Sequence, residues 1–417
     1  MDWLGRAKIR FTHAASPLKL ERRDGESTDL LQVCEQSIPP CNLNPLLFNG
    51  HLQTLWATVR QDAPPIYYKR RVFEADNRKY HGTFAVDFVV NPFAEVDNFL
   101  PPRTVFYTDD EFQAVGSDDT KPQLIVLHGM TGGSYEPYLR HCIALLREGW
   151  SICVVNSRGC AGSKITSEVL YNARATWDFR QVVAWFKLKF PNRPLFGLGF
   201  SLGANMLTNY CGEEGERCLL KAAVVCSNPF NLEVVSRALL RTYIGKFAYL
   251  RAMGETVKEF TQNNEREIKL YTDIDYDLIM NITTLTEFDT EVHCKTWGYP
   301  TVFSYYRDAS SSDSVLAIKI PFLALHAVDD PIAVDEAIPY EEFSKNPHTI
   351  LCTTSLGGHL GWFEPNGDRW HAKAVRNFLN KFAFDIEFDH KSQDSDYRMK
   401  SSKESMSFDP MRRKVNT

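Results

Sequence analysis

Five residues, Gly199-Phe200-Ser201-Leu202-Gly203, constrain this chain more than any other stretch. Leu195 to Phe200 reads as a buried strand, and Ala204 to Tyr210 reads as a helix. A serine in G-x-S-x-G between a strand and a helix sits at a sharp, strained turn that pushes its hydroxyl outward. Glycine is required at the flanking positions because neighbouring backbone passes too close for a side chain. The helix that follows aims its first N–H groups at the same point. A nucleophilic serine is built this way. The rest of the chain must then supply a histidine, an acid and an oxyanion hole.

The surrounding pattern suits such a turn. Leu124-Ile125-Val126-Leu127, Ser151 to Asn156, Leu195 to Phe200 and Ala222 to Cys226 are short apolar runs. Helical stretches separate the first three, Glu136 to Glu148 and Thr176 to Lys189. This alternation predicts an α/β fold, a mostly parallel, doubly wound sheet covered by helices on both faces. Upstream, Tyr67 to Phe73 and Thr83 to Val90 alternate as an antiparallel pair at a sheet edge. Residues 1–42 are weakly periodic and read as an N-terminal extension, and residues 91–121 read as an exposed loop. After residue 230 the alternation lapses. Residues 231–318 carry helical signals and many aromatics, and read as a helical cap inserted into a core formed by 43–230 and 319–387. A strand at Ile320 to His326, a helix around Val334 to Phe343, a strand at Thr349 to Thr353 and a helix at Trp370 to Phe382 resume the pattern. The polar tail, 388–417, reads as disordered.

Two later stretches answer the serine. Asp329-Asp330-Pro331 follows a strand, at the end where such sheets place chemistry. Asp330 is the first candidate for the acid and Asp329 the second. Gly357-Gly358-His359-Leu360-Gly361 places a histidine among glycines on a loop after the last strand, free to reach the serine. His128 and His326 sit at strand ends, where structural hydrogen bonds are expected. The chain order is Ser201, Asp330, His359, the order of the α/β-hydrolase type rather than that of chymotrypsin or subtilisin. His128-Gly129-Met130-Thr131-Gly132-Gly133 follows the first central strand. There the N–H groups of Met130 and Leu202 are the candidate oxyanion hole. No G-K-[ST] follows these glycines, so a P-loop is excluded.

Composition narrows the setting. The chain has 417 residues, a net charge of -5 and 44% hydrophobic residues, which points to a globular protein without a nucleic-acid partner. Ten cysteines are scattered without a C-x-x-C pair, which argues against zinc and for a reducing, cytoplasmic setting. No residues suggest a metal or cofactor. The first residues open no secretory signal, so Asn281-Ile282-Thr283 is an idle sequon. The longest uncharged run, Gln36 to Val59, holds Pro39, Pro40 and Pro45 and is too polar to span a membrane.

Six stretches together resemble one family. They are Asn49 to Thr54, Leu127 to Ser134, Asn156 to Cys160, Gly199 to Asn205, Ala327 to Pro331 and Gly357 to Trp362, across about residues 43–385. The chain resembles the α/β-hydrolase superfamily. Within it, the likeness is to lipid esterases that include animal hydrolase-domain proteins, bacterial hydrolases and fungal medium-chain fatty-acid ethyl ester synthase/esterases. The fungal members that resemble monoacylglycerol lipases are most alike. The resemblance implies Ser201 as nucleophile, Asp330 as orienting acid and His359 as base, acting on a small lipid ester. It also raises alcohol acyl transfer. Some relatives carry an H-x-x-x-x-D motif for that; here His359 has Glu364 at the last position and His326 has Pro331. A non-catalytic hydrolase-like binding protein is the rival from another class. In the insertion, Tyr243, Phe247, Tyr249, Trp297, Tyr299, Phe303, Tyr305 and Tyr306 either line an acyl pocket or pack the cap onto the core. Arg237 to Met253 mixes basic and apolar residues; it reads as a solvated helix face, with membrane or lipid-droplet contact as the alternative. The oligomeric state is not legible.

Overall fold

The computed structural model describes residues 5–388. The tail expected to be disordered therefore lies outside the described residues from 389 onward. The chain opens with β1 (Ile9–His13), β2 (Lys19–Glu21), β3 (Ser27–Asp29) and α1 (Leu30–Ser37), followed by α2 (Gly50–Val59), β4 (Tyr67–Glu74), β5 (Thr83–Val90), β6 (Thr104–Phe106) and α3 (Asp109–Gln113). The alternating part is β7 (Gln123–Leu127), α4 (Pro137–Leu146), β8 (Ser151–Asn156), α5 (Trp177–Lys189), β9 (Leu195–Phe200), α6 (Leu202–Glu214) and β10 (Leu220–Cys226). A run of helices follows: α7 (Leu232–Arg241), α8 (Leu250–Asn263), α9 (Glu265–Tyr271), α10 (Tyr276–Asn281), α11 (Leu285–Phe288), α12 (Lys295–Trp297), α13 (Val302–Ala309) and α14 (Ser314–Ala317). The sheet then resumes with β11 (Phe322–Ala327), α15 (Tyr340–Lys345), β12 (Thr349–Thr354) and α16 (Trp370–Asn380).

Among the described residues ten strands form one sheet, in the order β1-β12-β11-β10-β9-β7-β8-β5-β4-β6. From β12 to β8 every neighbour is parallel. β5 joins β8 antiparallel and pairs with β4 over their full length. The strands are apolar because helices cover both faces. Successive residues alternate between two apolar layers. Ile125 and Leu127 pack with Phe179, Leu207 and Tyr210 of α5 and α6, while Leu124 and Val126 pack with Leu139, Ile143 and Phe378 of α4 and α16. β9 is asymmetric in the same sense. Phe196, Leu198 and Phe200 fill the second layer, and Gly197 and Gly199 face α6, where an added Cβ would press on Leu207 or on the α6 backbone.

Three expectations change. Residues 1–42 are not wholly outside the core, because β1 pairs antiparallel with β12 and forms one sheet edge. Its signal is weak because it is a short edge strand with no fully buried residue. The loop expected at 91–121 contains β6, parallel to β4, and α3, whose Thr108 and Glu111 form a reciprocal cap. The helix expected at Val334 to Phe343 is a 3₁₀ turn at Asp335–Ala337 and a separate α15, since Pro339 lacks the N–H a continuous helix needs.

Candidate active site

The site grows from the end of β9. Ser201 has φ 50° and ψ -118°, a conformation unusual for a side-chain-bearing residue, and it precedes the first turn of α6. Its own N–H donates to Cys226 O (3.0 Å), which ties the turn to β10. At Gly203 a methyl would land on the carbonyl oxygens of His128 and Leu127, and at Gly199 it would lie 2.7 Å from Gly203 O. The elbow and the glycine-rich loop after β7 are therefore in backbone contact. Serine at a helix N-cap ordinarily bonds the backbone of the first turn. Here it makes no such cap, and its Oγ instead lies 2.9 Å from His359 Nε2.

His359 sits on the loop after β12. Its Nδ1 lies 2.8 Å from Asp330 Oδ2, so the nitrogen facing the carboxylate carries the proton and Nε2 is left to accept from Ser201. Asp330, 3% exposed, receives the N–H groups of Ile332 and Ala333 on its other oxygen, each at 2.8 Å. Asp329 points elsewhere. Its Oδ1 accepts the Gly358 N–H (3.0 Å), and burial pushes its carboxyl up to about 6. The structure thus brings Ser201, His359 and Asp330 into one chain of hydrogen bonds, and Asp329 supports the loop that carries the histidine.

Residues not singled out for any role in the sequence hold this loop. Thr54 Oγ1 accepts the His359 N–H (2.9 Å), and Gln53 Oε1 accepts the Phe363 N–H (3.0 Å). Both belong to α2, which Asn49 caps (2.9 Å to the Leu52 N–H). A Cβ on Gly50 would collide with the Asp329 backbone. The Asn49 to Thr54 stretch is therefore a backrest for the histidine and acid loops. Its only sequence signal was its place among the stretches carrying the family resemblance.

The loop after β7 is fixed on both sides of Met130. The Gly129 N–H donates to Tyr138 Oη (2.9 Å) and the Thr131 N–H to Tyr171 Oη (3.1 Å). Burial raises both phenols well above their ordinary range, so they stay neutral. Leu202 begins α6, where an N–H has no carbonyl a turn earlier. Behind the loop lies a buried network: Arg70 grips Asp87 at 2.6 and 2.8 Å, and Asp87 also receives Ser134 Oγ (2.6 Å) and Asn156 Nδ2 (2.8 Å). His128 and His326 make the structural bonds expected of them, to Gly129 O (2.6 Å) and Ala333 O (2.7 Å).

Ser201, Leu202, Met130 and Thr131 line one cavity of about 970 Å³, open mouth included. α7 and α8 supply one aliphatic side of it, through Val235, Leu239, Leu250, Met253 and Val257. Of the aromatics noted in the insertion, Tyr305 and Tyr306 line the cavity, while Tyr243 and Phe247 are exposed. Asn205, one turn after Ser201, donates to Ala173 O and Ala309 O and so ties α6 to the insertion. All ten cysteines are buried and unpaired. Among the described residues no cluster of His, Cys, Asp or Glu could hold a metal, and no helix is long and apolar enough to cross a membrane.

The family model of the alpha/beta hydrolase fold matches residues 122–365, which run from β7 to just past His359. The chain belongs to the α/β-hydrolase family. Within the family it is similar to a monoacylglycerol lipase of Saccharomyces cerevisiae, 36% identical over 82% of this chain and 80% of that protein. It is similar to a medium-chain fatty acid ethyl ester synthase/esterase 2 of the same yeast, 28% identical over 88% and 92%. A human phospholipase, ABHD3, is 30% identical over 76% and 72%. The family's mostly parallel sheet, with helices on both faces, is the one described above.

Proposed function

We infer that this chain is a serine ester hydrolase acting on lipid esters, with Ser201 as nucleophile, His359 as general base and Asp330 as the group that orients it. The observation that carries the reading is the continuous path Ser201 Oγ–His359–Asp330 at 2.9 and 2.8 Å, opening into an apolar cavity. Relatives named as a lipase, an ester synthase/esterase and a phospholipase support it.

In this mechanism His359 Nε2 takes the Ser201 proton as Oγ attacks the ester carbonyl. The Met130 and Leu202 N–H groups receive the oxyanion, and donors so placed are worth about 2.7–4 kcal/mol each. His359 passes the proton to the departing alcohol, leaving an acyl-Ser201 ester. Water, activated by the same histidine, releases the acid. An alcohol in place of water gives a new ester, so hydrolysis and alcohol transfer use the same residues. The test is fatty-acid release from a monoacylglycerol, with ethanol present in a parallel reaction and acyl-CoA in another. Ser201→Ala is expected to lower release by about 10⁴- to 10⁶-fold and to abolish fluorophosphonate labelling. A wild type that neither labels nor turns over is the binding-protein alternative.

The segment that joins two cavity-lining residues carries a surface suited to lipid. Leu239 and Leu250 line the cavity, and between them Tyr243 (83% exposed), Ile244 and Phe247 stand in solvent. Of the basic residues in the stretch 234–254, Arg237 and Arg241 pair with Glu233 and Glu336, which leaves Lys246 and Arg251 beside the exposed apolar side chains. Tyr249 bonds His51 (2.8 Å) at the start of α2, whose Leu55 and Val59 are also exposed. An apolar patch with basic residues fits an anionic lipid surface. In this reading the enzyme works while resting on its substrate's membrane or droplet.

A further inference from the structure

The cavity has two unlike walls. One is the aliphatic face of α7 and α8. The other is polar and comes from a π-helical turn, Asp289–Cys294, and from α13. Asp289 is 4% exposed. Its two oxygens are both occupied, Oδ1 by His293 Nδ1 (2.8 Å) and Oδ2 by the Tyr306 hydroxyl (2.6 Å). Because Nδ1 donates to the carboxylate, His293 presents Nε2, for which no hydrogen-bond partner occurs among the described residues. Ser236, on α7, is 5% exposed, lines the same cavity and has an Oγ without a partner. The cluster lines the same cavity as the Ser201 nucleophile. The His293 and Tyr305 rings are 5.3 Å apart, Leu202 packs on Tyr305 and its neighbours, and the Tyr305 hydroxyl accepts the Ala173 N–H (3.0 Å).

A buried polar group without a partner, as Ser236 Oγ is, is costly unless a ligand completes it, and His293 Nε2 stands at the same cavity with its acceptor position open. An acyl chain cannot do so, and neither can the ethyl group of an ethyl ester. A hydroxyl both donates and accepts, and therefore suits an imidazole nitrogen and a serine hydroxyl alike. We propose that His293 and Ser236 form a hydroxyl-binding subsite for the glycerol portion of a monoacylglycerol, with Asp289 and Tyr306 as positioning residues that hold the His293 ring. The proposal rests on the reading of Ser201 as nucleophile and adds to it a preference for polyol esters over simple alkyl esters. A site built to bond a substrate hydroxyl discriminates strongly against the analogue that lacks it.

The experiment compares kcat/KM on three esters: monooctanoylglycerol, ethyl octanoate and the ethyl ester of ω-hydroxyoctanoate. Wild type is expected to prefer the glyceride over ethyl octanoate by roughly tenfold or more. His293→Leu and the milder Ser236→Ala should lower glyceride turnover by about tenfold while ethyl octanoate stays within about threefold, which also reports that the variants fold. Equal losses on the glyceride and ethyl octanoate overturn the subsite and leave a packing role. A loss confined to the ω-hydroxy ester also overturns it, since the cluster would then read the end of the acyl chain. No turnover of any ester by wild type, with no fluorophosphonate labelling of Ser201, overturns the catalytic reading and the subsite with it.

Discussion

Adjacent residues here do different work. Asp329 and Asp330 differ by one position, yet only Asp330 faces the imidazole, while Asp329 bonds the Gly358 N–H. Asp330→Asn is expected to cut kcat by about 10⁴-fold, as removing the orienting carboxylate from such a triad does. Asp329→Asn keeps an acceptor for Gly358 and should cost less than about tenfold by the same comparison. Steady-state rates on a soluble ester check both, and a reversal would assign the acid to Asp329. His128 gives a pH prediction. Burial lowers its imidazole to about 4, and the neutral ring uses both nitrogens, accepting the Ser157 N–H (3.0 Å) while facing Gly129 O. A depressed histidine contributes stability that is present above the ordinary value near 6.5 and is lost as pH falls from there through 4. By pH 5 the loss is on the order of 2 kcal/mol. Melting curves at pH 7.5 and 5 should show a flatter pH dependence for His128→Gln than for wild type. Parallel slopes would sink the assignment.

At the scale of elements, β9, α6 and the loop after β7 act as one unit. Glycines let their backbones touch, and the switch in strand order, with β8 on one side of β7 and β9 on the other, opens a crevice there. Gly203→Ala is expected to push the His128 carbonyl, and with it Met130, away from Ser201. Losing one oxyanion donor costs about 10²- to 10³-fold in kcat, so a fall of that size with cooperative melting retained is the outcome that supports Met130. Unchanged kcat would remove Met130 from the oxyanion hole. The strand–turn–helix unit was legible because its constraints are local. The supports behind it were not. Tyr138 and Tyr171 hold N–H groups 9 and 40 positions away in the chain, and a tyrosine in α4 or in the connection before α5 carries no mark of that role.

Across the whole molecule, the helical insertion completes a site that the sheet alone leaves open. α7 and α8 roof the serine with aliphatic side chains and turn Tyr243, Ile244 and Phe247 outward beside Lys246 and Arg251. Flotation with anionic phosphatidylglycerol vesicles measures whether that face meets lipid. Wild type is expected to rise with the vesicles and a Tyr243→Asp/Phe247→Asp variant to remain below, with hydrolysis of a soluble short-chain ester equal in both. Equal flotation would show that these side chains do not face the bilayer. The edge strand β1 belongs to this scale as well. In the sequence it is indistinct from an extension because five residues, none of them fully buried, carry little periodicity, and only its pairing with β12 reveals it.

By itself the sequence determined the alternation of strands and helices, the elbow at Ser201 and the chain order of serine, acid and histidine. Those features follow from steric limits and hydrophobic periods that act within a few residues. Tertiary structure alone decided which carboxylate meets His359, what braces its loop and which insertion residues line the cavity. Thr54 and His359 are 305 positions apart, and Asp289 reaches Tyr306 only because a π-helical turn and α13 are packed together. Local pattern says which residues are buried. The direction in which each buried side chain points is set by partners that folding brings from elsewhere in the chain.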